Sequence, residues 1–343
     1  MQNQAAQIRQ YLLKQVVSHS RDIVAHASAH FNVSRTAIQR HLDTLIKTGK
    51  LIKIGVTRDA QYFLIEHFDK HAKFNITSGL AEYQVWKDVL EPSCSFLENN
   101  VLDISHYGFT EMFNNAIDHS EGQWIILDAK IQNGSIFISI QDNGVGLFKK
   151  IAKALQLEDI RESILQLTKG RVTTDPANHT GEGIFFTSRS FDSFQLIANG
   201  FKYIRDNLKN DWTFERDGEE PTKGTTVLMQ ISMHSKRDLT KIFTQYQLDD
   251  SLEFNKTEVY VALSKYKEET FISRSQAKRV LMNLEKFKHI ILDFKGIRMI
   301  GQGFADEVFR VYQQKHPNIQ LTYVNANQDI TFMIERSLSS TAK

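Results

Sequence analysis

The sequence predicts a multidomain α/β protein of three units, residues 1–72, 73–250 and 251–343. Three observations predict it. The chain of 343 residues is long enough for two or three cores, with ordinary hydrophobic (41%) and charged (24%) content for globular protein. Positive charge gathers at one end. Residues 1–70 hold ten Lys/Arg against five Asp/Glu, a net of +5, whereas the whole chain carries +2. The tail alternates short apolar strands with helical patterns, which argues for a mostly parallel sheet.

Composition excludes several classes. No run approaches the 18 or so apolar residues of a membrane helix. The start, Met1-Gln-Asn-Gln, lacks the basic-then-apolar order of a signal peptide, so a cytoplasmic location is expected. The single cysteine, Cys94, rules out an intrachain disulfide and a cysteine-based zinc site. Twelve histidines show no metal-ligand spacing. His26 and His30 are four apart, with no cysteine close in sequence and no second acid to complete a ligand set.

In residues 1–72, segments 8–17 and 21–30 have helical apolar spacing. Ser34 is a good cap for a third helix over 35–48, with Ile38, Leu42 and Leu45 as its buried stripe and Gly49 as its stop. Residues 51–56 and 61–65 read as two strands around Thr57-Arg58-Asp59-Ala60. Helix, helix, turn, helix and hairpin, with Asn-Val-Ser-Arg-Thr-Ala-Ile-Gln-Arg-His-Leu across the turn, resembles the winged helix-turn-helix of bacterial regulators. The resemblance implies DNA as a partner. The early exposed residues of the third helix, Arg35, Thr36, Gln39 and Arg40, would read bases, because Arg and Gln pair bidentately with guanine and adenine edges. Arg58 at the wing tip would contact phosphate or the minor groove. The basic excess fits that partner.

Residues 73–250 open with a helix over 78–91, ended by Pro92. Next comes a long helical stretch free of Pro, carrying Glu111-Met-Phe-Asn-Asn115-Ala-Ile-Asp118-His119. At helical spacing Glu111, Asn115 and Asp118 fall on one face: an acid, an amide and an acid. Residues 124–130 and 135–140 alternate like strands joined at Asn133-Gly134, a hairpin signal. The second ends in Asp142-Asn-Gly144-Val-Gly146, where glycines permit a sharp turn and a close backbone approach. A helix is expected over 148–167, a polar loop over 168–180, a helix over 184–190, and strands over 194–198, 202–205 and 226–231.

These motifs, in this order, resemble the nucleotide-binding core of the GHKL ATPases, the family of gyrase, the heat-shock chaperone, histidine kinases and mismatch-repair proteins. Glu111 and Asn115 match its N box. Asp142, Gly144 and Gly146 match its first glycine box. Thr180-Gly181-Glu-Gly183-Ile184 resembles the second, and Lys223-Gly224-Thr225-Thr226-Val227 the strand that closes the pocket. The resemblance implies an α/β sandwich that binds ATP with Mg²⁺. Glu111 becomes the general base and Asn115 the Mg²⁺ ligand. Asp142 bonds the adenine amino group with support from Thr225. Gly144, Gly146, Gly181 and Gly183 let the backbone approach nucleotide and phosphates. Asp118 stands beside the nucleotide as a further or supporting group. The loop 168–180 takes the place of the ATP lid, from which Lys169 and Arg171 would reach phosphates.

In the tail, Ser273 or Ser275 caps a helix running to 287, and 289–294 is a buried-type strand. Helices over 304–315 and 330–338 flank a strand over 319–324. Leu292-Asp-Phe-Lys-Gly296, followed by Gly301-Gln302-Gly303, resembles STAS-like domains, relatives of anti-sigma-factor antagonists. The turn that carries a phosphorylatable Ser or Thr in those relatives has no hydroxyl here. Two functions follow. One is an ATP-responsive regulator, in which Mg-ATP in the GHKL unit alters DNA binding while the STAS-like tail docks a protein partner; a homodimer would suit paired half-sites. The other is a serine/threonine kinase of the anti-sigma type acting on a separate substrate.

Overall fold

A computed structural model describes residues 2–56, 59–64, 69–94, 97–132, 134–173, 180–218, 223–248, 252–264 and 270–339. The expected wing-tip residue Arg58 and the turn residue Asn133 lie outside them. The described chain is a mixed α/β protein with three separate sheets.

The first segment packs α1 (Gln2–Gln15), α2 (Ile23–Phe31) and α3 (Arg35–Lys47) against a two-stranded hairpin, β1 (Leu51–Ile54) and β2 (Gln61–Leu64). Ser34 accepts the amide of Ala37 at 3.2 Å and so starts α3. Ile38, Leu42 and Leu45 turn inward at successive turns. Gly49, at φ +70°, lets the chain leave the helix as its neighbour Lys50 bonds back to Leu45 O. Together with Ile8, Leu12 and Tyr62 these side chains form a core of their own.

The middle of the chain is a seven-stranded antiparallel sheet with helices on one face. Its order is β3 (Asp69–Asn75), β4 (Trp124–Gln132), β5 (Ser135–Asp142), β9 (Thr225–Ser232), β6 (Ser193–Ala198), β7 (Phe201–Asp206) and β8 (Asp211–Arg216). β5 alternates half-buried and buried along its whole length, as a strand covered on one face must. The predicted boundary at 72–73 falls inside β3, whose alternating charged residues form an edge strand that the apolar pattern did not announce. A short α4 (Glu82–Val85) widens into a π turn before Pro92.

The 21-residue α5 (Asn99–His119) lies across the sheet, about 31 Å long at helical rise. Its inward stripe includes Val101, Ile104, Phe109, Met112, Phe113 and Ala116. Gly108 has no side chain because the ring of Phe191 occupies that space. The helix expected over 148–167 is two: α6 (Leu147–Ala154) and α7 (Glu162–Lys169), separated where Gln156 takes a positive φ. α8 (Gly183–Ser190) then packs beside α5, and α9 (Leu239–Thr244) packs on α8.

The tail holds a three-stranded parallel sheet, β10 (Lys256–Tyr260), β11 (His289–Asp293) and β12 (Gln320–Val324), matching the expected sheet type. Around it stand α10 (Arg274–Leu281), α11 (Gln302–Ala305), which runs on through a π turn into α12 (Gln313–Lys315), and α13 (Gln328–Ser339). Ser273 caps α10 in a reciprocal box with Gln276.

One junction matters for function. The hydrophobic core is continuous from the large sheet into the tail, across the predicted boundary at 250–251. Every residue of α7 is buried, and α7 packs against β10. Phe185, Phe254 and Phe287 carry the contact, with ring centres 4.5 and 5.3 Å apart.

Candidate functional site

Two adjoining cavities open between α5, the turn after β5 and the start of α8. The inner one, of about 30 Å³, is lined by Asn115, His119, Asp142, Gly146, Ile184 and Thr225 among others. The outer one, of about 90 Å³, is lined by Glu111, Asn115, Lys150, Thr173, Gly181, Glu182 and Gly183 among others. Asn115, His119, Leu147 and Ile184 belong to both walls. Residues 111, 142, 183 and 225 thus meet at one place, although more than a hundred positions separate the first from the last.

Asp142 ends β5 almost fully buried. Its Oδ1 accepts the amide of Gly144 at 2.8 Å and that of Thr225 at 3.3 Å. Burial pushes its carboxyl pKa up, and these hydrogen bonds to the ionised form oppose that shift. The Thr225 hydroxyl accepts the amide of Leu147 at 3.0 Å, which fixes the turn to the neighbouring strand.

The glycines have work inside the protein itself. A Cβ on Gly144 would overlap the carbonyl oxygen of Ser120 at the end of α5. Gly146 lies at φ +82° against the amide of Asn199, and Gly181 lies at φ +72° against the backbone of Val172. Gly183 is different: its space is taken by the Glu111 carboxylate, which rests over the first turn of α8. Burial is also the main reason the Tyr107 hydroxyl is pushed far up, with Glu111 and Glu182 adding to it.

Asp118 departs from expectation. It is exposed and lines neither cavity. The lining follows Glu111, Asn115 and His119, a row that advances about 40° around the helix every four residues, whereas Asp118 lies about 20° to the other side of Glu111. His119 therefore stands where the second acid was expected. Sequence reading also missed Lys150 and Glu182. Leu147, Lys150 and Ile151 line the outer cavity at i, i+3 and i+4, a stripe visible in the sequence once the helix start is placed. The Lys150 ammonium donates to His119 O at 2.6 Å and pairs with Glu121 at 3.1 Å.

Lys169 and Arg171 do not face the cavities. The Lys169 amine is buried among oxygens of the tail and of α7: Met282 O at 2.8 Å, Gln166 Oε1 at 3.2 Å and Arg279 O at 3.4 Å. Arg171 donates to Lys286 O at 2.9 Å and lies over the rings of Phe254 and Phe287. Tertiary contact overrode the expected lid role, because most of the partners lie far downstream, at Arg279, Met282, Lys286 and Phe287.

A second candidate surface is the first half of α3. Arg35, Thr36 and Arg40 are exposed there. Gln39 is half-buried and already committed, donating to Asp43 at 3.0 Å and accepting from the Tyr62 hydroxyl at 3.1 Å.

These features define a class: a multidomain α/β protein with an antiparallel sheet beside a small parallel one, and a cleft where the large sheet meets its helices. Among the described residues no helix is long and apolar enough to cross a membrane. Within that class, residues 276–331 match a STAS-like domain of unknown function (DUF4325). Comparison with curated proteins finds no match. The matched segment holds β11, β12 and the turn Gly301-Gln302-Gly303. Gly301 and Gly303 lie against Ile272, and the turn carries no hydroxyl side chain.

Proposed function

We propose that the chain is an ATP-binding regulator, in which a GHKL-type middle unit binds Mg-ATP and a winged helix at residues 1–64 binds DNA. The convergence of Glu111, Asn115, Asp142, Gly183 and Thr225 on two adjoining cavities carries the nucleotide half of this reading. In it Asp142, held by Gly144 and Thr225, presents a carboxylate to the adenine amino group. Gly146 and Gly181 shape the turns on either side. Glu111 orients a water for attack on the terminal phosphate.

Mg²⁺ fits the donor chemistry. Glu111, Asn115 and Glu182 offer oxygen to one cavity, the ligand type that hard cations take. When bound, the ion neutralises phosphate charge that two carboxylates would otherwise repel. The cavities are smaller than the roughly 300–1,000 Å³ of a typical ligand pocket, so nucleotide entry requires the cleft to widen.

The test follows γ-labelled ATP with Mg²⁺ on wild type, Glu111→Ala and Asp142→Asn. Asp142→Asn is expected to lose ATP affinity at least tenfold, the effect of about 1.4 kcal/mol. Glu111→Ala is expected to bind but not release phosphate. Equal ATP binding by Asp142→Asn and wild type would sink the reading. Acid-stable label on a protein substrate would favour the second reading, a serine/threonine kinase, for which the STAS-like match is the motive.

For DNA, the exposed pair Arg35 and Arg40 supports the reading, together with the net charge of +5 in residues 1–70. Replacing both by Ala is expected to weaken binding to duplex DNA at fixed salt. If both contact phosphate, the salt slope should fall by roughly 2. Unchanged affinity would remove DNA from the function. The STAS-like tail is the proposed protein-docking part.

A further inference from the structure

The wall that limits the outer cavity is fastened to the tail. Val172 and Thr173 line that cavity together with Glu111. The residues just before them are anchored in the C-terminal unit. Thr257 of β10 donates its hydroxyl to Lys169 O at 2.6 Å. The Lys169 amine reaches the end of α10 and the residue beyond, through Arg279 O and Met282 O. Gly170 lies so close to Phe254 that a Cβ would stand 2.6 Å from its ring. Arg171 is held on two sides: its guanidinium donates to Lys286 O, and the Lys286 amine donates back to Arg171 O at 3.3 Å. On the cavity side, Val172 backbone touches Gly181, and Arg171 Nε stands 3.8 Å from Glu182.

We infer that residues 169–173 are a strap, docked on the C-terminal unit, that keeps the cleft closed, so that docking and ligand entry exclude one another. The outer cavity is walled by helices α5, α6, α7 and α8 and by two irregular stretches, 172–173 and 180–182, and of these two it is 172–173 that continue directly from the docked residues. Widening the cavity at Val172 draws Arg171 off Lys286 and off the two rings. A partner that occupies or shifts α10 and the turn at 282–286 would thereby open or shut the cleft. The ligand-binding arm of this inference rests on the nucleotide reading above; the opening arm does not.

The experiment uses the full chain with Arg171→Lys and Arg171→Ala, each first checked for wild-type secondary structure. Arg171→Lys keeps a charge beside Glu182 but loses the planar group that stacks and forks. Hydrogen exchange is expected to quicken at 172–173 and at 181–184 in both variants. Affinity for a non-hydrolysable ATP analogue with Mg²⁺ is expected to rise about tenfold in Arg171→Lys, because a closed state no longer competes. Unchanged exchange at 181–184 in both variants would overturn the strap, as would affinity equal to or weaker than wild type in Arg171→Lys. If wild type binds no analogue at all, the nucleotide reading fails and the exchange result alone decides the strap.

Discussion

Gly144→Ala is expected to lower the stability of the middle unit by about 3 kcal/mol or more, whereas Gly183→Ala should cost far less and still disable the site. Both substitutions place a methyl group where another atom already stands. The difference lies in what must move. At Gly144 the obstacle is the carbonyl of Ser120, which also accepts the amide of Val145 at 2.9 Å. The turn on the other side is pinned as well. Asn143 accepts the amides of Gln123 and Trp124 at 2.8 and 3.1 Å, and Asp142 accepts that of Gly144. No backbone there shifts without breaking several hydrogen bonds. At Gly183 the obstacle is the far end of Glu111, which can rotate away. Denaturant midpoints compare the two variants, and phosphate release from ATP reports the site under the proposed reading. A Gly144→Ala protein as stable as wild type would refute the packing argument. A Gly183→Ala protein with full ATPase activity would show that Glu111 need not stand over α8.

Lys169 gives the second large effect, and it depends on pH. The amine is fully buried, and burial pulls its pKa down from 10.5 to about 7, with Glu285 and Glu162 acting the other way. In the unfolded chain the same amine keeps its proton to about 10.5. Between pH 7 and that value the unfolded state binds more protons than the native one, so stability rises with pH. The slope approaches about 1.4 kcal/mol per pH unit. Below pH 7 both states are charged and the slope from this group vanishes. Melting curves at pH 7, 8 and 9 are therefore expected to shift upward for wild type relative to Lys169→Met, which removes the titrating group and keeps a long apolar chain. Parallel shifts in the two proteins would show that Lys169 is not the cause.

Local signals made much of the molecule legible. Ser34, Ile38, Leu42 and Gly49 carry cap, stripe and stop within sixteen residues, so α3 was readable to within a residue. The hairpin of β4 and β5 and the strand–helix alternation of the tail were readable for the same reason: their patterns are periodic and short. β3 and β8 were not. Their residues are mostly charged or polar, and they are strands because a neighbour pairs with them. The site divides in the same way. Glu111, Asn115, Asp142 and Gly183 were readable because each belongs to a compact motif. The change from Asp118 to His119 depends on how far α5 rotates before it ends. The fate of Lys169 and Arg171 depends on Phe254, Met282, Lys286 and Phe287, and no local pattern announces partners so far along the chain.

The shared core gives the tail a different standing from the N-terminal segment. Most buried apolar side chains of residues 8–62 pack among themselves, with Ile52 joining the larger core, whereas Phe254 and Phe287 complete a core that begins at Phe185. The first touches the larger core through Ile52 and Phe63. The last is a structural member. A cut near residue 250 would strip Phe254 from Phe185 and Phe186 and β10 from α7, so the tail backs the helices behind the cleft rather than standing apart from them.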